Sequence, residues 1–157
     1  MAIQHFSHLG ICVTDVDRSI AFYREIFGFV EVSKTAVGPE VGPLIELDCA
    51  ELHLRSHFLE RDGLRIELMQ FDAPLPLGSR ERGPFNKLGL THLAFRVSVI
   101  EPVIAGVIEH GGTVIEATRV GRADMGVELI YVLDPDGNRI ELILLPGDPT
   151  QAPGEPV

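Results

Sequence analysis

Four residues of ligand type follow one pattern along this sequence. His8 is followed by Glu67, and His92 is followed by Glu141, at separations of 59 residues (67 − 8) and 49 residues (141 − 92). Zinc, nickel, cobalt, manganese and iron all accept imidazole nitrogens and carboxylate oxygens as ligands. Two of each donor could therefore hold one divalent cation. The two carboxylates would balance its charge, and open coordination positions would remain for water or a substrate.

The glutamates lie in a seven-residue segment that occurs twice. Residues 62–68 read DGLRIEL and residues 136–142 read DGNRIEL, so only the third position differs. The histidines open a second matched pair of segments, HLGICV at 8–13 and HLAFRV at 92–97. Because internal repeats indicate repeated structural units, we interpret the chain as two copies of one module. Each module begins with a His-bearing segment and ends with a Glu-bearing one.

Hydrophobic periodicity and turn residues predict a βαβββ order in each module, with one additional extended segment in the first. The first is predicted to have a strand at 6–13, a helix capped by Thr14 or Asp15 and ended by Gly28, extended segments at 29–34, 44–49 and 51–58, and a closing strand at 64–71. The second is predicted to have a strand at 90–97, a helix from Pro102 to Gly111-Gly112 with a buried stripe of Ile100, Val103, Ile104, Val107 and Ile108, strands at 113–118 and 127–133, and a closing strand at 139–145. We place the modules at 5–72 and 88–146 of a single domain (1–146), joined by a loop at 73–87 and followed by a flexible tail at 147–157.

Strand alternation indicates which way the ligand-type side chains point. His8 shares its strand face with Gly10, and His92 shares its face with Ala94. Glu141 would lie among apolar neighbours, where an ionised carboxylate is costly unless a cation or strong donors compensate it. A single His and Glu on a strand is more often a surface pair or a satisfied core pair. Duplication of the same placement favours metal ligation by all four residues.

Composition limits the classes of function. The 157 residues are 45% apolar and 23% charged, which is ordinary for one globular domain. A formal net charge of −10 argues against nucleic acid as a partner. No apolar run reaches membrane-spanning length and the N-terminus lacks a signal pattern, so we expect a cytoplasmic protein with no membrane contact. Cys12 and Cys49 lack metal-site spacing and are predicted to be buried free thiols.

Several charged residues have a weaker claim to function. The clustered cations are candidates for holding an anionic substrate, although solvated surface charge explains them equally well; they are Arg80, Arg82, Lys87, Arg119 and Arg122. His53 and His57 alternate on one strand with Arg55, but the other module has no equivalent, and we interpret them as solvent-facing. Arg65 and Arg139, inside the repeated segment, have no role that the sequence indicates.

The paired modules with His-opening and Glu-closing strands resemble the vicinal oxygen chelate superfamily. It includes glyoxalase I, methylmalonyl-CoA epimerase, extradiol dioxygenases, fosfomycin-resistance enzymes and bleomycin-binding proteins. The segments at 15–23 and 134–137 are typical of its sequences, and the resemblance covers about residues 5–145. It implies an α+β fold in which two tandem βαβββ modules form a mixed-sheet half-barrel cleft around the metal, commonly in a homodimer.

The ligand set divides the superfamily. Extradiol dioxygenases resemble this sequence at His8, His92 and Glu141. Their iron keeps open coordination positions for its substrates, and a fourth ligand from Glu67 would occupy one of them. Glyoxalase I and the epimerase use four ligands, and all four are matched here. Bleomycin-binding relatives generally lack them. The long segment between Glu67 and His92 looks like the epimerase, whereas the ending at 134–142 and a Glu at position 67 look like glyoxalase I.

The resemblance therefore implies a divalent-metal-dependent lyase or isomerase of the glyoxalase I or epimerase type. Such an enzyme removes a proton beside the metal-bound carbonyl of a small-molecule substrate and forms an enediolate or enolate. We assign Glu141 as ligand and principal base, and Glu67 as ligand and candidate second base on the opposite face. The alternatives are a bleomycin-resistance-like protein that binds a small molecule or antibiotic, and an Fe(II) extradiol dioxygenase.

Overall fold

Each half of the chain contains a four-stranded mixed sheet and one helix. The structure is a computed structural model that describes residues 2–78 and 83–151, and it divides into two compact units, 1–78 and 79–157. The first unit contains β1 (Leu9–Cys12), α1 (Val16–Phe27), β2 (Val30–Val37), β3 (His53–Arg61) and β4 (Leu64–Ala73). The second contains β5 (Leu93–Arg96), α2 (Glu101–Glu109), β6 (Thr113–Arg122), β7 (Val127–Leu133) and β8 (Arg139–Leu144). Short 3-10 turns lie at Pro39–Val41 and Ala123–Met125.

The two sheets have the same topology. Their strand orders are β1-β4-β3-β2 and β5-β8-β7-β6. In each sheet the first and last strands of the unit pair in parallel, while the other neighbours are antiparallel. The predicted α+β class and repeated βαβββ order are confirmed. Parallel pairing of opening and closing strands aligns Gly10 with Glu67 and Ala94 with Glu141.

Local signals explain where α1 begins and ends. The Asp15 carboxylate caps the helix by accepting a hydrogen bond from the Arg18 amide at 3.0 Å. The amide of Val16 donates to the side-chain oxygen of Gln70 on β4, so a tertiary contact satisfies another donor of the first turn. Gly28 ends the helix in the left-handed region at φ 68°, which costs glycine little. The predicted cap and stop are confirmed.

The helices cover one face of each sheet. The buried face of α1 includes Phe22 and Tyr23, while Leu59, Ile66 and Leu68 are the fully buried residues of β3 and β4. Ile100, directly before α2, and Ile104 and Val107 within it are buried, but Ile108 is 61% exposed and its predicted burial was wrong. Ile108 lies about 100° of helix rotation beyond Val107, at the margin of the stripe. No helix among residues 2–78 and 83–151 is long and apolar enough to cross a membrane.

The predicted strand at 44–49 was wrong. After the 3-10 turn, the amides of Ile45 and Leu47 both donate to the carbonyl of Gly42, so this segment forms successive turns. Pro39, Pro43 and Gly42 favour these local hydrogen bonds over a sheet ladder. The predicted burial of the two thiols was also wrong, since Cys12 is exposed and Cys49 partly exposed, although neither is in a disulfide. The module boundaries stay predictions, and residues 79–82 of the predicted loop and 152–157 of the predicted tail lie outside the described residues.

One buried hydroxyl in α1 offers a test of the packing. Ser19 is fully buried, and its Oγ has no hydrogen-bond partner within the described part of the chain. An unsatisfied buried hydroxyl is unfavourable, and alanine has the higher helix propensity. We expect Ser19→Ala to raise the free energy of unfolding by about 1 kcal/mol in urea titrations. Ser33→Ala, at an exposed position of β2, is the control and should change stability little; a clearly less stable Ser19→Ala would contradict the prediction.

Candidate functional site

In the first unit, His8 and Glu67 are in contact. The Nε2 of His8 lies 3.2 Å from Oε2 of Glu67, whose side chain is only 15% exposed. The Oγ of Ser7 lies 2.9 Å from Nδ1 of the same imidazole. The imidazole also packs edge-on against Phe58, the β3 residue that pairs with Glu67. A hydroxyl can donate or accept, so Ser7 can hold the ring in either tautomer and direct Nε2 at the carboxylate.

The second unit repeats this arrangement. The Nε2 of His92 lies 3.1 Å from Oε2 of Glu141, whose side chain is also 15% exposed. The Oγ1 of Thr91 lies 2.9 Å from Nδ1 of His92. Tyr131 on β7 pairs with Glu141 and contacts the imidazole edge-on, at 5.4 Å between ring centroids. The repeat therefore includes the hydroxyl behind each histidine and the aromatic ring beside it.

The donor atoms of each pair suit a metal ion. Two atoms bound to one cation at about 2.0–2.2 Å lie about 3.0–3.5 Å apart, and both His–Glu separations fall in this range. A hydrogen-bonding group behind each metal-binding imidazole is usual. Within each unit, no third His, Cys, Asp or Glu among the described residues completes a group of three ligands. Each unit thus supplies one imidazole and one carboxylate, and ligation by all four residues stays a prediction.

The aromatic residue beside the carboxylate differs between the units. The Tyr131 hydroxyl donates a hydrogen bond to Glu141, whereas its counterpart Phe58 cannot. Burial raises the pKa of Tyr131, and the adjacent charge of Glu141 raises it further, so the phenol stays a donor at neutral pH. Tyr131 was not among the residues predicted from the sequence. The β3–β4 and β7–β8 turns differ in length, so Tyr131 lies ten residues before its Glu and Phe58 only nine before its own.

A segment before β5 folds over the second pair. The guanidinium of Arg139 donates to the carbonyl of Gly83 and lies over the Phe85 ring, 5.3 Å from its centroid. Phe85 contacts both His92 and Tyr131, at 5.6 and 5.5 Å between centroids. Arg65, at the equivalent position of the first unit, pairs instead with Glu60 at 2.7 Å. The two arginines of the repeated segment therefore have different partners.

Comparison with known proteins identifies the family. Residues 5–142 match the family model of the Glyoxalase/Bleomycin resistance protein/Dioxygenase superfamily. The chain belongs to this superfamily. The resemblance inferred from the His and Glu segments is thereby confirmed, because this superfamily and the vicinal oxygen chelate superfamily are the same. Its name spans enzymes and binding proteins, so membership leaves the reaction to be inferred from the site.

Solved and curated relatives agree with this assignment. A glyoxalase family protein from Bacillus cereus has the same fold, with TM-score 0.76 and 22% identity over 93% of this chain and 99% of that one. A fosfomycin resistance protein from Listeria monocytogenes has TM-score 0.58 and 20% identity, over 90% and 93% of the two chains. A catechol-2,3-dioxygenase from Bacillus subtilis is 28% identical over 142 residues, which are 88% of this chain and 40% of that protein. The chain thus spans about 40% of the length of this curated relative.

The cations predicted as candidates for holding a substrate differ in their partners within the protein. Arg119 is bound by Glu101, Glu116 and Glu128, which raise its pKa, and Arg122 is bound by Asp124. Their charges are neutralised within the protein. Lys87 lines an open cavity together with Arg139. Arg80 and Arg82 lie outside the described residues.

The two histidines of β3 form carboxylate pairs away from the repeated site. His53 Nδ1 lies 2.8 Å from Asp72, and His57 Nδ1 lies 3.1 Å from Glu31. His57 projects from the strand face that also carries Leu59, opposite to Phe58. His53 is exposed as predicted, but the side chain of His57 is only 13% exposed, so its prediction as solvent-facing was wrong.

Asp72 makes the first unit sensitive to acid. Its hydrogen bonds with Arg55, His53 and Gln70 outweigh desolvation and lower its pKa from 3.8 to about 2. Stabilisation from a lowered carboxyl pKa is present above the unfolded value, near pH 4, and is lost as the pH falls through about 2. We expect Asp72→Asn to lower the free energy of unfolding by about 1 kcal/mol at pH 7, because screening limits a partly exposed pair. The loss should be clearly smaller at pH 2, where the native carboxyl is already partly protonated. Urea titrations at both pH values test this, with Asp124→Asn as the control for a local surface pair; equal loss at both would contradict it.

Proposed function

We propose that the chain is a divalent-metal-dependent lyase or isomerase that removes a proton beside a carbonyl group. His8, Glu67, His92 and Glu141 are its metal ligands, and Glu141 is the principal base. The observation that carries this proposal is the duplicated contact between His Nε2 and Glu Oε2, at 3.2 and 3.1 Å. Each unit thus supplies a carboxylate, whereas an iron site with a two-His, one-carboxylate face requires only one.

The chemistry follows from the residues around Glu141. A bound divalent cation would polarise the substrate carbonyl and stabilise negative charge on its oxygen. Glu141 lies at the centre of its sheet, between Ala94 and Tyr131, where the small Ala94 leaves one side of the carboxylate open. The hydrogen bond from Tyr131 fixes the carboxylate, so Tyr131 is a positioning residue. Glu67 lies between Gly10 and Phe58, and it can serve the opposite face of a planar intermediate when the reaction needs a second base.

The relatives support the metal but leave its identity open. The Listeria monocytogenes fosfomycin resistance protein has been crystallised with manganese(II). We therefore propose to load the purified full chain separately with manganese, iron, cobalt, nickel and zinc, and to measure bound metal by elemental analysis. We expect close to one divalent ion per chain. A chain that retains none would instead be a metal-free binding protein.

The reaction class is tested by proton exchange. The metal-loaded chain should catalyse uptake of solvent deuterium into a carbonyl substrate, with the hemithioacetal of methylglyoxal and glutathione compared with methylmalonyl-CoA by proton NMR. Exchange into either substrate would support the proposal and would separate the glyoxalase-type reaction from the epimerase type. Absence of exchange into both, in protein that holds metal, would contradict these two reactions.

A catechol dioxygenase is the second candidate, because the catechol-2,3-dioxygenase of Bacillus subtilis is 28% identical. In that reaction His8, His92 and Glu141 would be the iron ligands, and Glu67 would be dispensable. Ferrous-dependent oxygen uptake with catechol therefore distinguishes the two candidates. Glu67→Gln sharpens the comparison, since it should impair proton exchange by the lyase or isomerase but leave oxygen uptake by a dioxygenase unchanged.

A further inference from the structure

We propose that the cavity beside Phe85 binds a small, planar substrate whose anionic group is held by Arg139. This inference deepens the proposed function, on which it rests for the role of Glu141. It specifies the class of molecule: a compact carbonyl compound with an unsaturated or aromatic body and one carboxylate or similar anion.

The cavity has the size and lining of a small-ligand site. Its volume is about 370 Å³, near the lower end for ligand pockets. Rings of Phe85 and Tyr131 and the side chain of Ile115 supply its apolar surface, while Thr118 and Arg139 supply polar groups. Aromatic faces favour flat, unsaturated ligands by offset or edge-on packing.

Arg139 supplies a charge that has not been neutralised. Its partners among the described residues are the neutral carbonyl of Gly83 and the ring of Phe85. Arg65, its counterpart in the repeat, is already bound through two nitrogens to the Glu60 carboxylate. An anionic ligand is a stronger acceptor than a neutral carbonyl, so it can take over the Arg139 guanidinium. The chain has a net charge of −10, and an anion therefore depends on such a local cation.

The strand spacing orients the ligand. Arg139 and Glu141 lie two residues apart on β8 and project from the same face of the sheet. Their side chains therefore leave the strand about 7 Å apart. A ligand with its anion at Arg139 would place a carbon about that far away at the Glu141 carboxylate. Attraction between the Arg139 guanidinium and the anion favours this orientation.

A matched pair of probes tests the site without requiring turnover. Binding of 4-acetylbenzoate, which has a flat ring, a carboxylate and an acidic methyl ketone, is measured by calorimetry and compared with neutral 4-acetylbenzamide. The full chain is used both with manganese and after chelation, so that metal-bound carboxylate is distinguished from Arg139-bound carboxylate. We expect the acid to bind about 10- to 100-fold more tightly than the amide, in both preparations.

Two arginine variants make the test specific. Arg139→Met should reduce affinity for the acid by about 10- to 100-fold, while Arg65→Met, the counterpart in the repeat, should change it less than about twofold. Equal loss in both variants, no loss in Arg139→Met, or equal binding of acid and amide would overturn the proposal. Because Arg139→Met could unfold the 83–85 segment, amide chemical shifts of the wild-type chain provide a second measurement. Shifts on adding acid should centre on Gly83, Phe85 and Arg139, and shifts centred elsewhere would overturn the proposal.

The outcomes separate this inference from the proposed function. Binding that depends on Arg139 in a chain with no metal and no proton exchange would support the subsite and reject the lyase or isomerase. Metal retention and proton exchange without binding that depends on Arg139 would support the enzyme and reject the subsite.

Discussion

Replacing Glu141 by Gln is expected to reduce catalysed proton exchange by about 10²–10⁴-fold, because an amide cannot accept the proton. The amide oxygen can still bind a metal, so the metal content of Glu141→Gln should remain near that of the unmodified chain. Solvent deuterium uptake and elemental analysis on the same preparation measure the two quantities. Near-normal exchange in Glu141→Gln would show that Glu141 is not the base.

The matched variant Glu67→Gln indicates how many bases the reaction uses. An epimerisation needs proton transfer on both faces of a planar intermediate, so either substitution should lower its rate. The rate of an isomerisation that uses mainly Glu141 should fall less in Glu67→Gln. Tyr131→Phe completes the series by giving the second unit the ring that Phe58 supplies in the first. A positioning role predicts reduced exchange in Tyr131→Phe with the metal retained.

Removal of either repeated imidazole should abolish tight metal binding. We expect His8→Ala and His92→Ala each to weaken manganese binding by more than about 100-fold, since loss of a supporting group alone commonly costs 10- to 100-fold. Titration of the chelated chain, followed by electron paramagnetic resonance of free manganese, measures the affinity.

His57→Ala is the control for this experiment. His57 also contacts a glutamate at 3.1 Å, but through Nδ1 and on the strand face opposite to Phe58. It should bind manganese normally. Equal weakening in His57→Ala, or unchanged binding in His8→Ala and His92→Ala, would contradict assignment of the repeated pairs as ligands.

The strand face of each Glu and the ends of α1 could be predicted from the sequence, because they follow from strand alternation and helix-capping residues. Strand alternation placed each Glu on the sheet face opposite to Ile66 and Ile140, and Asp15 and Gly28 limited α1 as expected. The contact between His and Glu within each unit was not visible in local sequence. It depends on parallel pairing between strands that are separated by most of the unit. The repeat provided that information because it marked which ends belong together.

The errors arose where local chemistry or tertiary contacts override periodicity. Residues 44–49 have a strand-like pattern, but the neighbouring Pro43 and Gly42 form turns instead. Phe85 and Arg139 could not be connected from the sequence, because their contact joins an irregular segment to a strand more than fifty residues later. Tyr131 was hidden by the one-residue difference between the two hairpins.

Parallel pairing of the first and last strands has a consequence for synthesis of the protein. The contact between His8 and Glu67 requires β1 to pair with β4, and that between His92 and Glu141 requires β5 to pair with β8. Each pairing closes a long loop of chain, and the entropy of that loop must be overcome before the contact exists. A ribosome must therefore release nearly the whole of a unit before its imidazole meets its carboxylate. Neither donor pair can therefore form before the strands of its own sheet have been synthesised.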